Sequence, residues 1–218
     1  MRPHDMRLLF ALLAPFALLN AQPLDVIVAM EMSPGTEHAT GLIQARHFPD
    51  GDRAGIVGFR GHAEILQPLT DDNDAIARAL QKAGARVGVE LGAGVAINTA
   101  FRADVVGAIK EACAELGEPD SQRKHAIVLL FAGEDPTLRS HQEVIQQLLS
   151  AAQARLYAVA ITRMNATDQG PLARRPNLTY NFPALTAQLL SKIAKDSGGK
   201  IYKGGWDMKD ILKDARKP

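Results

Sequence analysis

Three short apolar runs, separated by long segments with helical periodicity, constrain the fold of this chain more than any other feature. The runs are residues 24–30, 125–131 and 156–161, and each is rich in Val, Ile, Leu and Ala without polar alternation. Such runs are typical of strands that are covered on both faces. Strands joined by helices of ten or more residues pair in parallel, with helices on both faces of the sheet. The sequence therefore predicts a doubly wound α/β domain.

Weaker patterns predict the remaining elements. Strands are expected at residues 53–59 and 200–203, and a turn at Gly61-His62 predicts an edge hairpin strand at 63–66. Helices are expected at 75–83, 96–116, 138–152, 185–196 and 208–215, with a short helix within 36–47 that ends at the Pro49-Asp50-Gly51 turn. Together these patterns place every strand but one in a mostly parallel sheet.

The first residues are predicted to be an export signal rather than part of the fold. A basic lead is followed by an apolar run of twelve residues, 8–19, and by a small residue at Ala21. This order is typical of a secretory signal that is cleaved after residue 21. The run is shorter than the about 20 residues that a stable membrane span needs. Residues 1–21 are thus assigned to a signal peptide and 22–218 to a single domain of a periplasmic or secreted protein.

Composition excludes several classes of protein. The chain has 218 residues, a net charge of +1 and one cysteine. Such a balanced charge gives no sign of a nucleic-acid partner, and one cysteine excludes an internal disulfide framework and a Cys-rich metal site. Cys113 lies on the apolar stripe of a predicted helix, so a buried thiol is expected. Asp71, Asp72 and Asp74 precede or begin a helix, where negative charge is favourable.

In a doubly wound fold, ligands bind beyond the carboxyl ends of the strands. That rim would collect three segments of this chain: residues 31–36, 132–136 and 162–183. The last has about 22 residues without a periodic pattern, which is long for a compact domain and favours a functional loop. Periodicity alone leaves the nature of the ligand open.

Five segments, in order, resemble the von Willebrand factor type A (VWA) family. They are residues 26–36 (VIVAMEMSPGT), 52–80, 125–135 (HAIVLLFAGED), 156–162 and the tail 189–215. The resemblance covers residues 24–215 and is nearest to an exported bacterial subgroup found in acidobacteria. It implies a three-layer, Rossmann-like fold with a six-stranded, mostly parallel sheet and one short antiparallel edge strand.

The family also implies a site to look for, the metal-ion-dependent adhesion site that binds Mg²⁺ or Mn²⁺. Its pattern is Asp-x-Ser-x-Ser after the first strand, a Thr before a later helix and an Asp after the fourth strand. At those positions this chain has Glu31, Ser33 and Gly35, then Val95 and Ala132. Because Val95 and Ala132 offer no side-chain oxygen, the resemblance predicts a degenerate site with no metal. If a metal binds, Glu31 and Ser33 are its expected ligands, with Thr36, Glu134 or Asp135 as the further oxygen donors near this rim.

The resulting hypothesis is a non-enzymatic module that binds a partner protein at the rim. The residues assigned to that contact are Glu31, Ser33, Thr36, Glu134, Asp135, Arg174 and Arg175. One alternative is a Mg²⁺- or Mn²⁺-dependent adhesin or receptor that uses the residual site. A remote alternative is an exported hydrolase, although the chain has no Gly-x-Ser-x-Gly motif and its histidines are scattered singly.

Overall fold

A single six-stranded sheet forms the centre of the computed structural model, which describes residues 22–33, 36, 41–92, 103–161 and 183–217, with only the backbone for 85–92. The strands are Leu24–Glu31 (β1), Arg53–Phe59 (β2), Ala63–Thr70 (β3), Lys124–Phe131 (β4), Ala154–Ala160 (β5) and Lys200–Tyr202 (β6). The helices are Asn73–Gly92 (α1), Val105–Leu116 (α2), Gln142–Ala151 (α3), Ala184–Asp196 (α4) and Met208–Ala215 (α5). Short 3₁₀ turns occupy Ala45–His47 and Leu138–His141.

The sheet has the topology that the alternating pattern predicts. Its strand order is β3-β2-β1-β4-β5-β6, and every pair is parallel except β2 with β3. β3 is therefore the antiparallel edge strand, although it runs to Thr70 and is longer than the hairpin at 63–66 suggested. The carboxyl ends of β1 and β4 lie side by side, because these strands are direct neighbours.

Both faces of the sheet are covered, which explains the unbroken apolar runs. Ile27 and Ala29 of β1 face a core shared with α2, α3 and α4. Val26 and Val28 face the other core, which includes residues of α1 and α5. A strand that is buried on both sides has no solvent face on which polar residues would be favoured, so alternation disappears. The predicted stripe of α1 is buried as expected, at Ile76, Ala79, Leu80 and Ala83.

Helix α2 differs from its prediction. The expected helix at 96–116 begins only at Val105, because residues 103 and 104 are not helical. The amide of Ala103 donates to the carbonyl of Glu134 (3.2 Å), and that of Asp104 donates to the carbonyl of Arg60 (2.9 Å). These tertiary hydrogen bonds hold the chain outside helical geometry, and the Asp104 side chain caps the helix. Residues 96–102 lie outside the described part of the chain.

The predicted helix within 36–47 lies partly outside the described residues, which leave out 37–40. Residues 41–42 are helical, and a 3₁₀ turn follows at Ala45–His47. Ile43 and Phe48 are buried beside this turn and attach it to the core that contains β1.

The amino ends of the strands hold a buried ion network that the sequence patterns did not reveal. Asp25 is fully buried and accepts hydrogen bonds from the Nε atoms of Arg53 (3.0 Å) and Arg123 (2.6 Å). Burial by itself would raise the pKa of Asp25, but the two guanidinium groups outweigh it and hold that pKa below its ordinary value. His125, also buried, places Nε2 3.8 Å from Asp25. This network stabilises the end of the sheet where the strands begin, opposite their carboxyl ends.

Candidate binding rim

The carboxyl ends of the strands form a rim, which among the described residues consists of 31–33, 36, 60–62, 103–106, 132–137 and 184–186. These segments follow β1, β2 and β4 or begin α2 and α4. Helices that follow parallel strands start near this edge, so their unpaired N–H groups also point towards it. The rim is therefore rich in polar backbone groups that need partners.

Glu31 is the last residue of β1 and is 2% exposed. Its Oε2 atom accepts hydrogen bonds from the backbone amides of Ala132 (2.7 Å) and Gly133 (2.8 Å). Two donors on one buried carboxylate oxygen form short, charge-assisted hydrogen bonds. The carboxylate thus joins the ends of two neighbouring strands.

Ser33 and Thr36 form a closed turn beside Glu31. The amide of Thr36 donates to the carbonyl of Ser33 (3.1 Å), and its hydroxyl lies 2.7 Å from the carbonyl oxygens of both Ser33 and Glu31. Both side chains are buried. The hydroxyl of Ser33 has no hydrogen-bond partner among the described residues, although a buried hydroxyl is normally paired.

The pair Glu134-Asp135 holds two helix N-termini. Glu134 Oε2 accepts hydrogen bonds from the amide (2.8 Å) and the hydroxyl (2.6 Å) of Thr186, in the first turn of α4. Asp135 Oδ2 accepts one from the amide of Val106 (3.2 Å), in the first turn of α2. Carboxylates at these positions satisfy unpaired N–H groups and complement the helix dipole. The loop after β4 therefore fixes both flanking helices.

Two residues of this network were not found from the sequence. Thr186 is fully buried and its hydroxyl accepts a hydrogen bond from the amide of Asp135 (2.9 Å). Asp104 caps α2 by accepting from the amide of Gly107 (2.9 Å). An Asp directly before the first apolar residues of a helix is a capping signal, and Asp104 precedes Val105, but the helix was predicted to begin earlier.

The structure separates the proposed contact residues into two groups. Glu31, Ser33, Thr36 and Asp135 are buried, so their side chains build the rim and do not face solvent. Glu134 is exposed as a residue, but both of its carboxylate oxygens accept hydrogen bonds from α4. Arg174 and Arg175 lie outside the described residues. The rim residues that do face solvent include His62, Pro136, Thr137 and Leu185.

The donor set fits a metal ion poorly. Ala132, at the position of the family's Asp, has no oxygen donor, and its amide is bound to Glu31. Both oxygens of Asp135 accept hydrogen bonds, Oδ1 from Thr137 and Oδ2 from Val106. A Mg²⁺ ion needs oxygen ligands that are free to converge at about 2.1 Å, and these oxygens are already committed. In the described part of the chain, no group of three or more His, Cys, Asp or Glu side chains could hold a metal.

Val95, the other family position without an oxygen, lies outside the described residues. The residue that directly precedes α2 in the structure is Asp104, and Val95 lies nine residues before that cap. Within the described residues, the segment just before α2 is bound at the rim, because the amide of Ala103 donates to Glu134 and that of Asp104 donates to Arg60.

The remaining candidates have structural roles. Cys113 is buried in α2, and burial raises the pKa of its thiol to about 12, as expected for an inert cysteine. Asp72 Oδ1 accepts hydrogen bonds from the amides of Asp74 (2.8 Å) and Ala75 (3.0 Å) at the start of α1. The acidic cluster lies at the start of a helix, as predicted, and Asp72 is the residue that caps it.

Comparison with solved structures identifies the fold. The chain resembles the conserved hypothetical protein BatB from Bacteroides thetaiotaomicron, with 19% identity, a TM-score of 0.56 and coverage of 89% of this chain and 100% of that one. It also resembles an aerotolerance-related membrane protein from Bacteroides fragilis (16% identity, TM-score 0.54, coverage 88% and 98%). A third similar structure is the SpRpn10 VWA domain (8% identity, TM-score 0.54, coverage 87% and 94%).

The class that the sheet and these comparisons define is the three-layer α/β fold with one antiparallel edge strand. Within that class, the chain has the fold of a von Willebrand factor type A domain. No protein-family model and no curated protein matches the sequence. Among the helices of the described residues, none is long and apolar enough to cross a membrane.

Proposed function

We propose that this chain is an exported, non-enzymatic VWA-fold module that binds a partner protein at the rim without a metal ion. The observation that supports this most is the hydrogen bonding of the rim carboxylates. Those of Glu31, Glu134 and Asp135 all accept hydrogen bonds from backbone amides of the domain. A rim held by its own hydrogen bonds presents a preorganised surface, which lowers the cost of ordering on binding.

The proposed contact uses the exposed rim rather than its buried carboxylates. Leu185 is 42% exposed at the start of α4, and its amide is bound to Glu134 Oε1 (3.2 Å). His62, on the turn between β2 and β3, adds a polar group to the same edge. A contact patch usually has an apolar centre and a polar margin, and Leu185 and His62 provide one residue of each kind. Arg174 and Arg175, in the segment after β5, are proposed to extend this surface towards an acidic partner.

Export is proposed from the amino-terminal sequence. A basic lead, an apolar run and Ala21 precede the first described residue, Gln22, and this order favours a signal that is removed. The domain is proposed to comprise residues 22–218 and to work in the periplasm or outside the cell.

A second candidate is a Mg²⁺- or Mn²⁺-dependent adhesin. The observation that favours it is the Ser33 hydroxyl, which is buried and unpaired within the described residues, at the one position where the family's residue is unchanged. An oxygen without a partner is available to a ligand. What supports the metal-free candidate instead is that Ala132 has no side-chain oxygen and that both oxygens of Asp135 accept hydrogen bonds from the domain.

Site-specific photo-crosslinking tests the two candidates together. A benzophenone side chain replaces Leu185 at the rim or, as a matched control, Val144 on α3, which is 40% exposed outside the rim. The expected result is one protein adduct from position 185 in the organism's exported fraction, equally strong with chelator or with excess Mg²⁺. The same adduct from position 144, or none from 185, would contradict binding at the rim. An adduct that disappears with chelator would favour the adhesin.

A further inference from the structure

The end of β4 forms a small anion-binding turn that the chain fills with its own carboxylate. The successive amides of Ala132 and Gly133 converge on one oxygen of Glu31, at 2.7 and 2.8 Å. Successive backbone N–H groups pointing into one concavity bind anions. Glu31 comes from the neighbouring strand, 101 residues earlier in the sequence.

The Glu31 side chain joins β1 to β4 at a point where the two strands are no longer paired through their backbones. The pairing of β1 with β4 ends at Met30 and Leu130, whereas the pairing of β1 with β2 includes Glu31 and Phe59. Beyond Met30, the Glu31 carboxylate still joins the end of β1 to the loop after β4, through its two hydrogen bonds. On the side of β1 that faces β2, the amide of Met32 donates a hydrogen bond to the carbonyl of Phe59 (2.8 Å).

The family's metal-site pattern has Asp where this chain has Glu31 and Ala132, and the geometry links these two differences physically. Glutamate is one methylene longer than aspartate, and its carboxylate reaches the backbone of the loop after β4. Alanine at 132 removes the second carboxylate, which would otherwise lie beside a buried Glu31. Two buried carboxylates without a cation between them would repel each other. The change at one position is thus compatible with the change at the other.

We propose that Glu31 is a built-in bridge that replaces a divalent cation and holds the ends of β1 and β4 together at any cation concentration. This inference rests on the proposed function, because it explains how a rim without metal keeps one arrangement. Glu31 acts here as a positioning residue: it is 2% exposed and orders the loop that in turn holds α2 and α4 through Glu134 and Asp135.

Amide hydrogen exchange, measured residue by residue by NMR on the full chain, tests the bridge. The variants are Glu31→Met, which keeps the length of the side chain but removes the acceptor, and Glu31→Gln, which keeps one neutral acceptor. Glu134→Gln is the matched control, since it alters a rim carboxylate that binds other amides. Each protein is measured with chelator and with excess Mg²⁺.

The expected result is specific to two amides. In the unchanged protein, Ala132 and Gly133 are protected equally with chelator and with Mg²⁺. Glu31→Met speeds their exchange by about tenfold to a hundredfold, the loss expected for a charge-assisted hydrogen bond, and Glu31→Gln speeds it less. Glu134→Gln affects the amides of Leu185 and Thr186 and leaves those of 132 and 133 unchanged.

Two results would overturn the proposal. One is unchanged protection of Ala132 and Gly133 in Glu31→Met; the other is loss of that protection when chelator is added to the unchanged protein. The chelator comparison stands even if Glu31→Met does not fold. Failure of the bridge is distinguishable from failure of the proposed function. If the crosslinked adduct at position 185 forms equally with and without chelator but the amides of Ala132 and Gly133 are unprotected, only the bridge is rejected. Protected amides without an adduct reject only the partner-binding function.

Discussion

Gly107 occupies the third position of α2, directly under the carboxylate that caps the helix. Asp104 Oδ1 accepts a hydrogen bond from the Gly107 amide at 2.9 Å. A Cβ atom added at 107 would lie only 2.6 Å from Asp104 Cγ and would also overlap the carboxylate oxygens. Gly107→Ala therefore forces the Asp104 side chain away from the amide that it caps.

The magnitude follows from two opposing contributions. Replacing Gly by Ala within a helix stabilises by about 1 kcal/mol, and losing an Asp cap costs about 1 kcal/mol. Gly107→Ala alone should thus be close to neutral or destabilising. In the Asp104→Ala background no cap remains to be lost, so the same substitution should stabilise by the full amount of about 1 kcal/mol.

A double-mutant cycle in urea measures this coupling. The four proteins are the unchanged chain, both single variants and the double variant, and the expected interaction energy is about 1 kcal/mol. If Gly107→Ala stabilised the chain equally with and without Asp104, the side chains would not be coupled and the capping argument would be refuted.

Three further predictions concern other parts of the fold. The pKa of Asp25 in the folded chain lies below its ordinary value, so the ionised carboxylate stabilises the fold when the pH is above the ordinary pKa, and this stability is lost as the pH falls through the folded pKa. Asp25→Asn should therefore flatten the acid side of a curve of unfolding free energy against pH, measured in urea. An unchanged slope on the acid side would contradict this prediction. The Cys113 thiol is buried and its pKa is raised to about 12, so it should react with iodoacetamide only as fast as the chain unfolds. Complete labelling in native buffer, without unfolding, would refute its burial. A Cβ atom at Gly199 would lie 2.7 Å from the Leu156 carbonyl carbon. Gly199→Ala should therefore destabilise the fold by about 2 kcal/mol or more, measured by thermal unfolding. An unchanged melting temperature would show that the backbone moves to accommodate the added atom at little cost.

Some features of the site could be predicted because they depend on residue type alone. Ala132 has no side-chain oxygen in any conformation, so the absence of a side-chain oxygen donor at that position was visible without a structure. The position itself was also predictable: the apolar run before it is a buried strand, and the residue after a parallel strand lies at the rim.

The assignment of contact residues illustrates the limit of such reasoning. Glu31, Thr36 and Asp135 were expected to contact a partner because their segments lie beyond the carboxyl ends of the strands. They are buried because Glu31 and Asp135 accept hydrogen bonds from backbone amides of other segments, whereas the Thr36 hydroxyl lies against carbonyl oxygens of its own turn. A sequence shows that a carboxylate is present, but it does not show which unpaired N–H lies within reach.

What the sequence determined by itself was the alternation of elements, and with it the doubly wound, mostly parallel sheet. Apolar periodicity reports how each local segment is buried, and strands buried on both faces leave few topologies available. What only the tertiary structure decided was the pairing of groups far apart in the chain. Glu31 meets the amide of Ala132, and Asp25 meets Arg123, across 101 and 98 residues. Those contacts exist because β1 and β4 are neighbours in the sheet, and no local pattern in either segment records which partner the folded chain brings beside it.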